Sequence, residues 1–271
     1  KKTEEGVVFR DPYTGAKRLF RPRDSIHMQH RIGSDVAMAL DDVPRYGVSK
    51  GEVKESLERS HRWLEENIKA HQREDDKTNV KQMLFGIAQG GVYGDLRKKS
   101  AKLLLEADVD GYAIGGLAIG EPPKKMFHAI DIQAEVFEQD PKKARYVMGL
   151  GSPQDIVRAV MLGVDVFDSI FPTQNARRGS LFTRQGTLRI DNARFKEHEG
   201  PIEQGCTCYA CRNFSVSYIH HMLKLKERIG LRLATIHNVH FVQRLLDEAR
   251  EAIVEGGFQR FREKFSKKYI P

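Results

Sequence analysis

Apolar and polar positions along the chain follow two periods, one of two residues and one close to 3.6. Residues 7–10 and 17–20 are short β-prone runs on either side of Asp11-Pro-Tyr-Thr-Gly15, a turn-rich stretch, and together they predict a hairpin. A short helix is expected over 22–32. From there one unit recurs: a short apolar run, a polar or glycine-rich tip, then an amphipathic stretch of ten to twenty residues. The first unit is a strand over 36–40, the tip Asp41-Asp42 and a helix over 50–71, where Val53, Leu57, Leu64 and Ile68 keep near-helical spacing. The second is a strand over 83–88, the tip Gln89-Gly90-Gly91 and a helix over 94–106. The third runs 111–114, then Gly115-Gly116-Leu117, then a helix over 122–138. The fourth has its strand at 145–148, the tip Gly149-Leu150-Gly151, and a helix that Ser152 caps ahead of Pro153. A fifth strand, 164–167, ends on Asp168.

Five consecutive βα units imply a mainly parallel sheet, and their monotony favours a TIM (β/α)8 barrel over a doubly wound sheet, though periodicity alone does not separate the two. A barrel needs eight strands, so its N-terminal strands are expected upstream of Lys1. Beyond residue 170 the pattern changes. Val216, Ile219, Leu223 and Ile229 suggest one helix after Cys211, and residues 231–236 read as a strand.

The 271 residues are 40% apolar, enough to bury a core. No apolar run approaches the eighteen or so residues of a membrane span, and the first thirty residues hold no signal-peptide core. Membrane and secreted classes are therefore disfavoured. The formal charge of +8 suits a polyanionic partner.

All three cysteines lie within six residues, at Cys206, Cys208 and Cys211, which is not a secreted disulfide framework and fits a reducing compartment. Cys-x-Cys-x2-Cys offers three thiolates to a tetrahedral zinc and leaves one ligand to be found among His220, His221, His237 and His240. On a helix, His220 would lie about 13 Å from Cys211, too far to share an ion. His237 and His240 both remain. A closed shell of this kind would be structural, with one zinc per chain. Residues 1–195 are expected as a partial barrel with its hairpin, 196–240 as a zinc-binding subdomain, and 241–271 as a C-terminal helical segment packing on the barrel.

In a parallel barrel the strand ends converge, so Asp41, Asp42, Gln89, Gly116 and Asp168 are expected to share one pocket. Strand-end aspartates can also simply cap the following helix. Arg177, Arg178, Arg184, Arg189 and Arg194 follow Asp168 with Asp191 the sole acid among them, a run suited to phosphates.

Phe85-Gly-Ile-Ala-Gln-Gly-Gly91, Ala113-Ile-Gly-Gly-Leu-Ala-Ile-Gly-Glu121, Val166-Phe-Asp-Ser169 with Pro172-Thr173, and the cysteine motif with Ile236-His-Asn238 resemble tRNA-guanine transglycosylase, bacterial type. The resemblance covers essentially the whole chain. It implies a TIM barrel with a zinc-binding subdomain that exchanges guanine at the anticodon wobble position of a G-U-N tRNA for the 7-deazaguanine preQ1, in queuosine biosynthesis. It implies a cytoplasmic homodimer. In these terms Asp168 is the nucleophile at ribose C1′; Asp41, Gln89, Gly116, Leu117 and Glu121 bind the base; Arg177 contacts tRNA; and Cys206, Cys208, Cys211 and His237 hold Zn2+. The family's Asp-Ser-Gly-Gly-Phe-Gln motif, which carries its general base, does not occur in this sequence, and Gln174 stands where the family often has Arg. Two competing readings are a catalytically silent tRNA-binding partner subunit and a zinc-ribbon nucleic-acid binder; the second does not account for the glycine-tipped strands.

Overall fold

A computed structural model describes residues 1–78 and 81–269. The chain opens with three antiparallel strands, β1 (Lys2–Thr3), β2 (Gly6–Arg10) and β3 (Lys17–Phe20), with Val7 opposite Phe20 and Arg10 opposite Lys17. The Asp11 carboxylate accepts from the Tyr13 and Thr14 amides at 2.9 and 3.0 Å, which closes the expected hairpin turn. Helix α1 (Pro22–Ile32) starts on proline, with Asp24 accepting from the Arg21 amide, and stops at left-handed Gly33.

Strand β4 (Val36–Met38), α2 (Lys50–Thr78), β5 (Met83–Ala88), α3 (Gly94–Leu105), β6 (Gly111–Ile114), α4 (Pro123–Phe137), β7 (Ala144–Val147), α5 (Pro153–Met161) and β8 (Val166–Phe167) follow in strict alternation. The five strands pair in parallel in chain order, β4-β5-β6-β7-β8. A doubly wound sheet reverses its order at a switch point, whereas a (β/α)8 barrel wall runs sequentially. Five sequential strands are the barrel pattern. Strands β5 and β6 are buried along almost their whole length, as strands covered on both faces must be.

The remainder comprises α6 (Phe171–Arg177), the hairpin β9 (Ser180–Thr183) and β10 (Gly186–Arg189), a 3-10 turn at Ala193–Phe195, α7 (Tyr209–Asn213), α8 (Val216–Lys224), α9 (Arg228–Val254) and α10 (Phe258–Lys268). Two expectations fail here. Residues 231–236 are not a strand but lie inside α9, whose buried positions Gly230, Leu233, Ala234, His237, Asn238, Phe241 and Leu245 keep helical spacing; the Leu-x-Leu alternation at its start is too short to oppose that period. The single helix expected after Cys211 is two: Ser215 caps α8 by accepting from the Tyr218 amide, and Lys226, at φ 59°, breaks the chain again before α9. Helix α9 is continuous through residue 240, across the boundary expected there.

The chain forms two compact units, residues 1–149 with 161–167, and residues 150–160 with 168–271. The first has a core around Leu57, Trp63, Leu84, Ile114 and a stacked Tyr112–Phe137 pair with ring centroids 4.6 Å apart. The second has two apolar clusters, one around Leu181, Ile190, Ile219 and Leu233 and one around Val157, Phe182, Phe241 and Tyr269. Among the described residues no helix is long and apolar enough to cross a membrane.

Candidate active site and metal centre

In the first unit the tips of β4, β5 and β6 bring Asp41, Gln89 and Gly116 together. The Gln89 side-chain amide donates to an Asp41 carboxylate oxygen at 2.5 Å. Gln89 is fully buried; its backbone amide donates to Ser100 Oγ at 2.9 Å, and its Oε1 has no hydrogen-bond partner. Gly116 has φ +64°, and a Cβ there would stand 2.3 Å from Gln89 Oε1, so the chain passes against the amide only because the residue is glycine. Burial raises the Asp41 carboxyl from the ordinary 3.8 to about 6 against the opposing bond from Gln89, with the Asp42 charge adding to the rise. The result is an acceptor beside a donor at the mouth of a polar, strongly desolvated recess.

Asp42 does something different from Asp41. It is 1% exposed and ion-paired with Lys2 and Arg59, and its amide donates to Ser60 Oγ at 2.9 Å, which ties the β4 tip to α2.

The glycine tips are held by a residue that the sequence reasoning missed. Arg97, in the first turn of α3, is wholly buried; its guanidinium donates to the carbonyls of Gly91 at 2.6 Å, Gly115 at 2.7 Å and Gly116 at 3.2 Å, and to Gln133 Oε1 at 3.1 Å. Burial lowers its pKa to about 9, so it stays charged at neutral pH, with Glu121 in its field opposing the drop. The one available signal was an arginine six residues after a Gly-Gly tip, which without a structure reads as an exposed helix residue.

Leu117 is buried, and the two residues after it give their amides to Glu121, Ala118 at 2.6 Å and Ile119 at 3.0 Å. In a planar trans peptide the Leu117 carbonyl points opposite to the Ala118 N–H, away from that carboxylate. Beside these tips lies a cleft of about 240 Å³ lined by Tyr46, Val48, Gly91, Tyr93, Gly116 and Glu121 among others.

The other expected residues belong to the second unit. Asp168 is exposed and follows directly on Phe167, the last residue of β8. Two residues on, Ser169 Oγ accepts from the Phe171 amide at 3.1 Å at the entry to α6, and Arg177 is exposed in the last turn of that helix. Of the basic run, Arg184 is ion-paired with Glu248, Arg189 pairs with Asp191 at 2.9 Å, and Arg194 lies over the Phe195 ring.

Cys206, Cys208 and Cys211 converge on His237, whose Nδ1 lies 3.8, 3.6 and 3.4 Å from the three sulfurs. Ligands bound to a tetrahedral zinc at its usual Zn–S and Zn–N lengths stand about 3.6 Å apart, so the four residues fit the ion. The Cys211 hydrogen bond holds the Cys208 thiol below its ordinary range, toward the thiolate that a metal needs. His237 Nε2 donates to the Phe182 carbonyl at 2.8 Å, leaving Nδ1 as the ligand atom. This resolves the choice left open by spacing: His240 instead meets Thr207 Oγ1 at 3.2 Å, and His220 meets the Ile190 carbonyl at 2.6 Å. The next residue of the same helix, Asn238, is buried and bonds the Phe182 amide and the Pro172 and Ser180 carbonyls, all at 3.0 Å, fixing α9 to β9 and α6.

The profile of the family described as queuine tRNA-ribosyltransferase matches residues 1–271. A queuine tRNA-ribosyltransferase of Francisella tularensis subsp. novicida is 44% identical over 269 residues, covering 99% of this chain and 71% of that protein. One of Desulforamulus reducens is 44% identical over 265 residues, covering 98% of this chain and 70% of its own. On that match along its whole length, the chain belongs to the queuine tRNA-ribosyltransferase family.

Proposed function

We propose that this protein is a tRNA-guanine transglycosylase: a pentosyltransferase that removes guanine from the wobble position of a G-U-N anticodon and installs preQ1, on the route to queuosine. The observation that carries the reading is the paired edge of Asp41 and Gln89. A guanine-type base presents N1–H and an exocyclic amine as donors next to a carbonyl acceptor. Asp41 accepts from the two donors. Gln89 has two amide hydrogens, of which one is on Asp41 and the other can reach the base carbonyl together with the Gly116 amide. The desolvated carboxylate regains by this contact the hydrogen bonds it lost on burial. A base read on this edge must be out of its stack, which costs least in a single-stranded loop.

Asp168 is the nucleophile in this proposal. Its carboxylate attacks ribose C1′ as the guanine departs through an oxocarbenium-like transition state and takes up a proton at N9, giving a glycosyl ester. The incoming base then attacks the same carbon through its N9, gives up the proton it carried there and releases the carboxylate, so the exchange is proton-neutral overall. Two inversions retain configuration. The Leu117 carbonyl, which points away from Glu121, accepts from the aminomethyl group of preQ1, and Arg177 meets a phosphate of the anticodon loop. Cys206, Cys208, Cys211 and His237 hold one Zn2+ in a closed shell that fixes the cysteine loop to α9 and enters no chemical step. The homodimer and the cytoplasmic location rest on the family resemblance alone.

The test is to mix the protein with wobble-G tRNA and 9-deazaguanine and run a denaturing gel. A protein–RNA band that survives denaturation with wild type and is absent with Asp168→Asn supports the assignment. An undiminished band with Asp168→Asn refutes it.

A further inference from the structure

Away from both sites, a second set of metal-ligand side chains converges within the first unit. His30 stands in the last turn of α1, and His71 and Asp75 stand one turn apart on α2, where i and i+4 share a face. His30 Nε2 lies 3.0 Å from His71 Nδ1 and 3.8 Å from Asp75 Oδ1, and one ligand atom from each residue falls within 4.8 Å of the others. The two imidazoles are 4% and 8% exposed.

Proton accounting leaves this cluster unsatisfied as a hydrogen-bonded group. The Gln82 carbonyl, 2.7 Å from His71 Nε2, can only accept, so that nitrogen carries the proton and Nδ1 presents a lone pair inward. The one proton on His30 Nε2 can serve His71, and then Asp75 Oδ1 is buried with no hydrogen-bond partner. A buried carboxylate oxygen left in that state is costly. A cation among the three atoms satisfies all of them, with His71 already in the arrangement common to metal-bound histidines, its other N–H on a backbone carbonyl. Nitrogen and oxygen ligands of a tetrahedral ion stand about 3.3 Å apart. His30 lies 3.0 Å from His71 and 3.8 Å from Asp75, on either side of that value, and His71 comes within 3.6 Å of Asp75 from Nε2 to Oδ2.

We propose that His30, His71 and Asp75 form a second metal site, taking a divalent ion of the zinc class and completed by solvent. Two imidazoles and one carboxylate select a borderline transition ion over Mg2+ or Ca2+. The site clamps α1 to α2. That clamp bears on the strand leading to Asp41, because Gln29, next to His30, accepts from the Met38 amide at 2.7 Å and donates to the Met38 carbonyl at 2.9 Å.

The test is a Co2+ titration of metal-stripped, folded protein followed by absorbance, with Zn2+ stoichiometry measured in parallel by calorimetry. Wild type should take up two equivalents per chain: one with an intense thiolate-to-metal charge-transfer band and one with weak visible bands only. His71→Ala and the gentler Asp75→Asn should each lose the weak-band equivalent and keep the charge-transfer one, while Cys208→Ser does the reverse. Saturation of folded wild type at one equivalent, abolished by Cys208→Ser, overturns the proposal and leaves a hydrogen-bonded histidine pair. The readout is metal content, so it stands or falls independently of the transglycosylase assignment.

Discussion

Asp41 is a carboxylate whose burial works against the fold, and that gives it a pH signature. Its pKa is raised on folding to about 6, so the folded protein holds this proton more tightly than the unfolded chain does. Stability from this group is full below about pH 4 and is lost as pH rises through 6, by about 3 kcal/mol once it is fully ionised. Asp41→Asn should therefore match wild type in chemical denaturation near pH 4 and exceed it by up to about 3 kcal/mol at pH 8, while guanine binding is lost at both. Equal stabilities at pH 8 would contradict the burial assigned to this carboxylate. Arg97 is the second residue-scale case. Its fork spans three glycine carbonyls, a geometry that an ammonium cannot copy. Arg97→Lys should raise KM for the base about tenfold with a smaller change in kcat, and an unchanged KM would remove Arg97 from base positioning. Asp41, Gln89 and Gly116 were legible because strand tips mark themselves by a break in apolar pattern. Arg97 was not, because a buried cation that answers only backbone carbonyls leaves no periodicity or partner motif in sequence.

The elements were legible in proportion to how much of their identity lies in their own residues. The hairpin, α1 and the first four βα units carry caps, turns and long periodic faces, and the structure places them within a few residues of expectation except at the end of α2. That helix runs on to Thr78 where 71 was expected, through a polar stretch that carries no apolar period. Helix α9 was misread at its start because residues 231–236 also fit a short alternation, and the His237–Asn238 pair that settles the matter acts through contacts with β9, α6 and the cysteine loop. The cysteine spacing pointed to a metal site; which histidine joins the three cysteines depends on that helix. Asn238 makes three buried hydrogen bonds, two to carbonyls and one from an amide, so Asn238→Ala should cost about 2–4 kcal/mol in denaturant unfolding. A loss below about 0.5 kcal/mol would mean that α9 is held by its apolar face alone.

At the scale of the whole molecule, the five strands in chain order carry the fold class, and the net charge of +8 suits an RNA substrate without identifying one. The sequence presents five arginines after Asp168 as equivalent; the structure removes Arg184 and Arg189 from that set by pairing them with acids and leaves Arg177 and Arg178 exposed. Binding of wobble-G tRNA should weaken linearly in log–log terms with salt, and Arg177→Ala should lower the slope by about 0.7–1, whereas Arg189→Ala should leave it unchanged. Equal slopes for wild type and Arg177→Ala would take Arg177 out of the phosphate contacts. The central claim, that this chain's carboxylates exchange a base on RNA, is tested most directly by following labelled guanine into tRNA carrying a wobble G, with metal-loaded wild type beside Asp168→Asn and Asp41→Asn. Incorporation by wild type that preQ1 suppresses and Asp168→Asn abolishes is the predicted result. Absence of incorporation by folded, metal-loaded wild type, or undiminished incorporation by Asp168→Asn, would contradict it.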